Sequence, residues 1–144
     1  MYDFLTELSL RGFTVDLFTN GSIDFEQVGL PPTSFSNLTV VMDWKLTGSG
    51  EGSTSTDIRQ LNRTLLRSQD ALKFVVVDIG DLEEMSRWLH VWEATLFHQV
   101  FVAPAWNRID PSAVVEYIGM NDLHFVRLNL QIHKYIWEPT TRRI

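Results

Sequence analysis

The sequence predicts an α/β fold with a mainly parallel sheet, either an open sheet or part of a (β/α) barrel. Three observations predict it. Helical and strand periodicities alternate along the 144 residues in the order α-β-β-α-β-α-β-α-β. Two strand segments, Leu38 to Trp44 and Lys73 to Val77, are almost wholly apolar, as in a parallel sheet covered on both faces. Gly, Pro, Asn and Ser punctuate the segments at turn positions. No linker or low-complexity tract interrupts this rhythm, so residues 1–144 read as a single domain of ordinary size.

Residues 2–11 place Phe4, Leu5, Leu8 and Leu10 at helical spacing, and Arg11-Gly12 closes the helix with a left-handed glycine. Phe13 to Phe18 is a strand, stopped by Thr19-Asn20-Gly21-Ser22. A start on a helix followed by a strand is the second half of a βαβ unit, as if the chain began midway through a larger repeat. Residues 21–37 form a loop, with Pro31-Pro32 opposing regular structure. After the strand 38–44, a small-residue loop leads to Asp57, placed to cap a helix over 58–66. The strand 73–77 turns through Asp78–Asp81, with Asp81 as the helix cap, into a helix to about Ala94. Gln99 to Val102 is a strand stopped by Pro104. Asp110-Pro111 opens a helix to about Ile118. The last strand runs from Phe125 to Ile132, and the tail from Trp137 is irregular.

Composition narrows the function. Hydrophobic residues make up 44%, with 5 Trp and 9 Phe, enough for a core and against disorder. A net charge of -6 opposes binding to nucleic acid. The N-terminus has no basic segment before its apolar stretch, and no run suits a membrane span. A cytoplasmic protein is expected. There is no cysteine, which excludes a thiolate nucleophile, a disulfide and a thiolate-bound cluster within this chain.

Ligands of parallel α/β folds gather at the C-terminal ends of the strands. Thr19-Asn20 end the first strand, where a tight turn is the alternative role. Asp43 and Lys45 end the second, as a structural ion pair or a ligand clamp, before Gly48-Ser49-Gly50. Backbone amides of such a loop can approach an anion, although no Walker sequence follows. Trp106 follows the fourth strand as core or lid. Gln131 and His133 share one face at period two, offering an amide and an imidazole to the edge of a heterocycle; a histidine capping the sheet is the alternative. No HExxH, HxxxH or GxSxG pattern is present.

Four stretches together resemble one family: LRGFTVDLFTNGS, VVMDWKLTGSGEG, QDALKFVVVDIGDLE and LNLQIHKYIWEPTTR. They are similar, in order, to the C-terminal part of 7-carboxy-7-deazaguanine synthase, a radical S-adenosylmethionine enzyme of queuosine and deazapurine biosynthesis. The resemblance implies a partial (β/α) barrel missing its N-terminal strands. It implies conversion of 6-carboxytetrahydropterin to 7-carboxy-7-deazaguanine, a carbon–nitrogen lyase-type reaction, with S-adenosylmethionine, a 4Fe-4S cluster and magnesium. It places Thr19, Asn20, Asp43, Lys45 and Ser49 beside S-adenosylmethionine, and Gln131 and His133 beside the pterin. The family's three-cysteine motif and its Gly-Gly-Glu-Pro segment precede the first of these stretches and are absent here, and Phe18 stands where the family tends to have Glu. The chain is therefore expected to be inactive alone and to need a cluster-bearing N-terminal chain, or to self-associate. The alternatives are a non-catalytic remnant or binding module for a pterin or deazapurine, and an unrelated α/β protein.

Overall fold

A computed structural model of the protein describes residues 2–29, 36–50, 56–92 and 98–137. The elements follow the expected order: α1 (Tyr2–Leu10), β1 (Val15–Thr19), β2 (Leu38–Trp44), α2 (Thr56–Thr64), β3 (Ala71–Val76), α3 (Ile79–Trp92), β4 (Gln99–Pro104), α4 (Pro111–Met120), β5 (Val126–Leu128) and a single turn, α5 (His133–Ile136). The strands form one five-stranded sheet in the order β1-β2-β3-β4-β5, and every pair is parallel. The sheet is open, with β1 and β5 at its edges. A strand order that never reverses, with the right-handed crossovers usual for parallel strands, puts the connecting helices on the same side. This is the winding of a barrel wall, unlike a doubly wound sheet, whose order reverses at a switch point.

Burial along the strands agrees. Leu38, Val40, Met42 and Trp44 of β2 are buried, while the residues between them are only half-buried. The register carries this phase across the sheet, to Leu17 of β1, Leu72, Phe74 and Val76 of β3, Val100 and Val102 of β4, and Val126 of β5. These side chains pack in one core with Leu5 of α1, Leu82, Met85 and Leu89 of α3, and Val114 of α4. Each buried Leu, Phe or Val contributes about 1.5–3 kcal/mol. The expectation that β2 is covered on both faces is thus corrected. Helices cover one face, and the apolar Val41 and Val75 lie on the other.

Three tryptophans fasten the helices at the C-terminal end of β2. Trp44 meets Trp92 edge-on with centroids 4.7 Å apart and Trp88 at 5.4 Å, and the Arg63 guanidinium lies 4.6 Å from the centre of the Trp92 ring. At the opposite end, the buried Asp70 accepts hydrogen bonds from the amides of Val40 and Arg67 and from the Arg67 guanidinium, while its carbonyl accepts from Gln99. Burial alone would raise the pKa of Asp70, but these bonds outweigh it and hold the carboxyl below its ordinary value.

The element ends differ from the sequence reading for identifiable reasons. Gly12 (φ 78°) closes α1 in a Schellman motif, with Gly12 N–H donating to Ser9 and Phe13 N–H to Leu8. Phe13 is thus occupied by the cap, and β1 begins at Val15. Asp57 lies inside the first turn of α2 instead of capping it. Asp78, not Asp81, caps α3, accepting the Asp81 amide at 3.0 Å. Asp110 caps α4 as expected. β5 stops at Leu128 because its ladder runs into a proline: Asn129 N–H donates to Val102, and the next donor toward β5 belongs to Pro104, which has none. Pro31-Pro32, Ala94 and the tail beyond Trp137 lie outside the described residues.

His98 precedes β4 with its Nε2 buried and, among the described residues, without a hydrogen-bond partner. Burial and the nearby Arg63 push its pKa down to about 4, against the opposing pull of Asp70. The folded state then binds fewer protons at this site than the unfolded state between pH 6.5 and about 4. Stability is unaffected above pH 6.5 and falls by up to about 3 kcal/mol toward pH 4. His98→Gln is expected to flatten that decline, measured as the urea midpoint between pH 7 and pH 4.5; an unchanged profile would refute the assignment.

Candidate functional site

The uncovered face of the sheet holds the polar side chains that the core excludes. At the third position along this face, register aligns Asp43 of β2, Lys73 of β3, Phe101 of β4 and Arg127 of β5 in one row. At a strand spacing of ~4.8 Å the row is about 14 Å long. Lys45 returns to the same face two residues after Asp43, with Nζ 3.7 Å from Asp43 Oδ2. That separation exceeds a good charge-assisted hydrogen bond, and the two side chains keep 23% and 32% of their surface exposed. The pair is a long, partly solvent-accessible contact. Arg127 donates to Gln99 Oε1 at 3.2 Å, one row toward the N-terminal ends. Asp43, Lys45, Lys73 and Arg127 together carry a net positive charge in a chain of net charge -6.

Thr19 and Asn20 end β1 beside Met42, so they share the C-terminal rim with Asp43 and Lys45. Their side chains serve the turn. Thr19 Oγ1 accepts from the Gly21 amide and Asn20 Oδ1 from the Ser22 amide, both at 3.1 Å. Thr19 also has the phase of the helix-covered face. Gly21 is needed twice over: its φ is 64°, and a Cβ there would lie 2.6 Å from Met42 Sδ. The buried Asn62 of α2 fastens the turn from outside, donating to the carbonyls of Gly21 and Ile23 and accepting from Phe25.

Ser49 lies in a 3-10 turn, Thr47–Ser49, and its hydroxyl donates to the Leu46 carbonyl at 2.6 Å. The amides expected to approach an anion are already engaged. Gly48 N–H donates to Asp81 Oδ1 at 2.9 Å and Thr47 N–H to Glu84 Oε2 at 3.0 Å. Asp81 also accepts from Val77, so this nearly fully buried carboxylate joins the ends of β2 and β3 to α3.

Gln131 and His133 do not share a strand face, since β5 ends before them. Gln131 lies in the segment after the strand, half-buried, and an exposed His133 opens α5. The short helix is held at the exit of β4 by Tyr135, whose ring meets Trp106 edge-on at 4.5 Å. Trp106 thus secures the C-terminal segment. The candidate cofactor residues therefore follow or end β1 and β2, while the candidate substrate residues follow β5 at the other edge of the sheet.

Lys73, Phe101 and Arg127 were not singled out from sequence. The available signal was strand period: Lys73 interrupts an apolar run, and period two places it beside Asp43 once the β2–β3 register is known. The chain has three lysines; Lys45 and Lys73 fall on this face, and Lys134 lies in α5 after β5. Among the described residues no group of three or more His, Cys, Asp or Glu is placed to hold a metal.

Gly48→Ala is expected to destabilise the protein by about 1–3 kcal/mol, because the new Cβ would stand 2.5 Å from Asp81 Oδ2 and 2.6 Å from Val77 Cγ2. Gly50→Ala meets no atom within 4 Å and carries only the strain of φ 74°. Chemical denaturation of both variants checks this, and equal losses would show that Gly48 is not tightly packed.

Comparison with known proteins gives three relatives, each named 7-carboxy-7-deazaguanine synthase. That of Clostridium acetobutylicum is 30% identical over 131 residues, covering 90% of this chain and 56% of the relative. That of Koribacter versatilis is 28% identical over 156 residues, covering 98% and 64%. That of Leptospira interrogans is 31% identical over 98 residues, covering 67% and 40%. The chain thus spans about half the length of the curated relatives it matches. No protein-family model matches it, and no solved structure gives a significant match.

Proposed function

We propose that this chain, a relative of the 7-carboxy-7-deazaguanine synthases, forms the pterin-binding side of an enzyme that converts 6-carboxytetrahydropterin to 7-carboxy-7-deazaguanine. The observation that carries the reading is the charged row on the uncovered sheet face, in a chain similar to these synthases over nearly its whole length. The rim residues divide the work. Lys73 and Arg127 hold the pterin carboxylate in a site of net positive charge. Gln131 and His133 read the heterocycle's edge through an amide and an imidazole. Asp43 and Lys45 open their loose pair to the ammonium and carboxylate of S-adenosylmethionine, with Thr19, Asn20 and Ser49 shaping the adjoining rim.

A 4Fe-4S cluster with S-adenosylmethionine would supply the radical in an enzyme of this kind. The residues of this chain do not fit the cluster, because there is no cysteine to ligate it. In an enzyme of this kind the cluster would have to be held by polypeptide outside these 144 residues. A second reading, a non-catalytic module that binds a pterin or deazapurine, is favoured by the same absence and by Phe18 on β1.

Anaerobic titration calorimetry with 6-carboxytetrahydropterin is expected to show binding. Lys73→Met and Asp43→Asn are each expected to weaken ligand binding about tenfold or more, equivalent to roughly 1.4 kcal/mol, pterin for the first and S-adenosylmethionine for the second. Unchanged affinities would overturn the assignment of the face. Adding a cluster-bearing polypeptide, iron, sulfide and S-adenosylmethionine separates the two readings. Product supports the enzyme, and an assembled complex without product supports the binding module.

A further inference from the structure

The charged row contains one side chain that charge does not explain. Register sets Phe101 of β4 between Lys73 of β3 and Arg127 of β5, on the face opposite the core. An aromatic ring on a sheet surface gains from a cross-strand ring or cation stacked against it. Among the described residues Phe101 makes neither contact. Arg127, directly opposite on β5, is drawn away from it. Its guanidinium donates to Gln99 Oε1 at 3.2 Å, one row back toward the start of β4. Phe101 is left half-buried, with part of its surface open.

The neighbours of Phe101 specify what can lie on it. Lys73 and Arg127 stand two strands apart, about 10 Å at the spacing of a sheet, with Phe101 between them. Val75 and Ala103, paired in the next row toward the rim, add apolar surface and no polar side chain. An aromatic ring flanked by cations suits a planar ligand that carries a negative charge at its margin. The ligand's face stacks while its charge meets a cation. An aliphatic anion gains only the second contact, and a neutral ring only the first.

We propose that Phe101 is the stacking platform of the site: the flat face of a bicyclic anionic heterocycle lies on its ring, and the ligand's carboxylate reaches Lys73 or Arg127 at the side. This role rests on the functional reading above for the identity of the heterocycle, a pterin carboxylate; its place follows from register, charge and the unpartnered ring. Stacking on an aromatic side chain tolerates changes in the stacked ring. Phe101 therefore sets the plane of the ligand, while Gln131 and His133 select its edge.

The test adds pterin-6-carboxylate, whose ring system is fully flat, to the full chain. Calorimetry follows its affinity, and NMR follows its carbon-bound ring proton. The expected result is an upfield ring-current shift of that proton on binding and a nuclear Overhauser contact with the Phe101 ring. Phe101→Leu is expected to weaken binding about tenfold and to remove the shift, and Phe101→Tyr to retain both. Binding that Lys73→Met weakens and Phe101→Leu leaves unchanged would overturn the platform while the functional reading stands. A bound ligand without the upfield shift would overturn it as well. Binding of pterin-6-carboxylate with the expected shift, but none of 6-carboxytetrahydropterin, would leave the platform standing and remove the functional reading instead. No binding of either compound would overturn both. The contact seen in the wild-type chain decides the matter even if Phe101→Leu does not fold.

Discussion

Five parallel strands held in one phase are the constraint on which this molecule depends. Because each strand aligns with the next in chain order, the alternation of side chains along β2 is repeated without a slip as far as β5. A shift of one residue at any pair would turn Leu72 or Val100 out of the core and bring Lys73 or Phe101 into it. The phase is set from both ends. Asp70 ties β2, β3 and β4 together where they begin, and the Trp44–Trp88–Trp92 group fixes α3 where β2 ends.

Division of labour between the two faces follows from that phase. The covered face is apolar from Leu17 to Val126 and supplies the stability. Among the described residues no helix covers the other face, where Lys73 is half-buried and Arg127 exposed. Helix α3 links the faces: its Asp81 and Glu84 occupy the amides of the Thr47–Ser49 turn, which fixes the rim next to Lys45 without leaving that turn open to an anion. The positive row and the rim fastened by Asp81 and Glu84 are thus built from separate interactions.

Most of the architecture was legible in the sequence, because periodicity and punctuation report local structure directly. Gly12, Asp110-Pro111 and the apolar run 38–44 each identified an element correctly. What was not legible depended on partners distant in the chain. The end of β5 is decided by Pro104 on the neighbouring strand, so Gln131 and His133 could not be separated from it by pattern alone. The role of Asp81 needed Gly48 and Val77 beside it. Lys73 became a site candidate only through register with Asp43. The apolar character of Val41 and Val75 suggested a second covering layer. These residues instead line a face left open in the described structure.

The central claim is that ligand chemistry belongs to the face the helices leave uncovered. Lysine acetylation footprinting tests it most directly, because Lys45 and Lys73 lie on that face. With 6-carboxytetrahydropterin bound, labelling of Lys45 and Lys73 is predicted to slow several-fold relative to the free chain. Unchanged labelling of both lysines while the ligand is demonstrably bound would contradict the account.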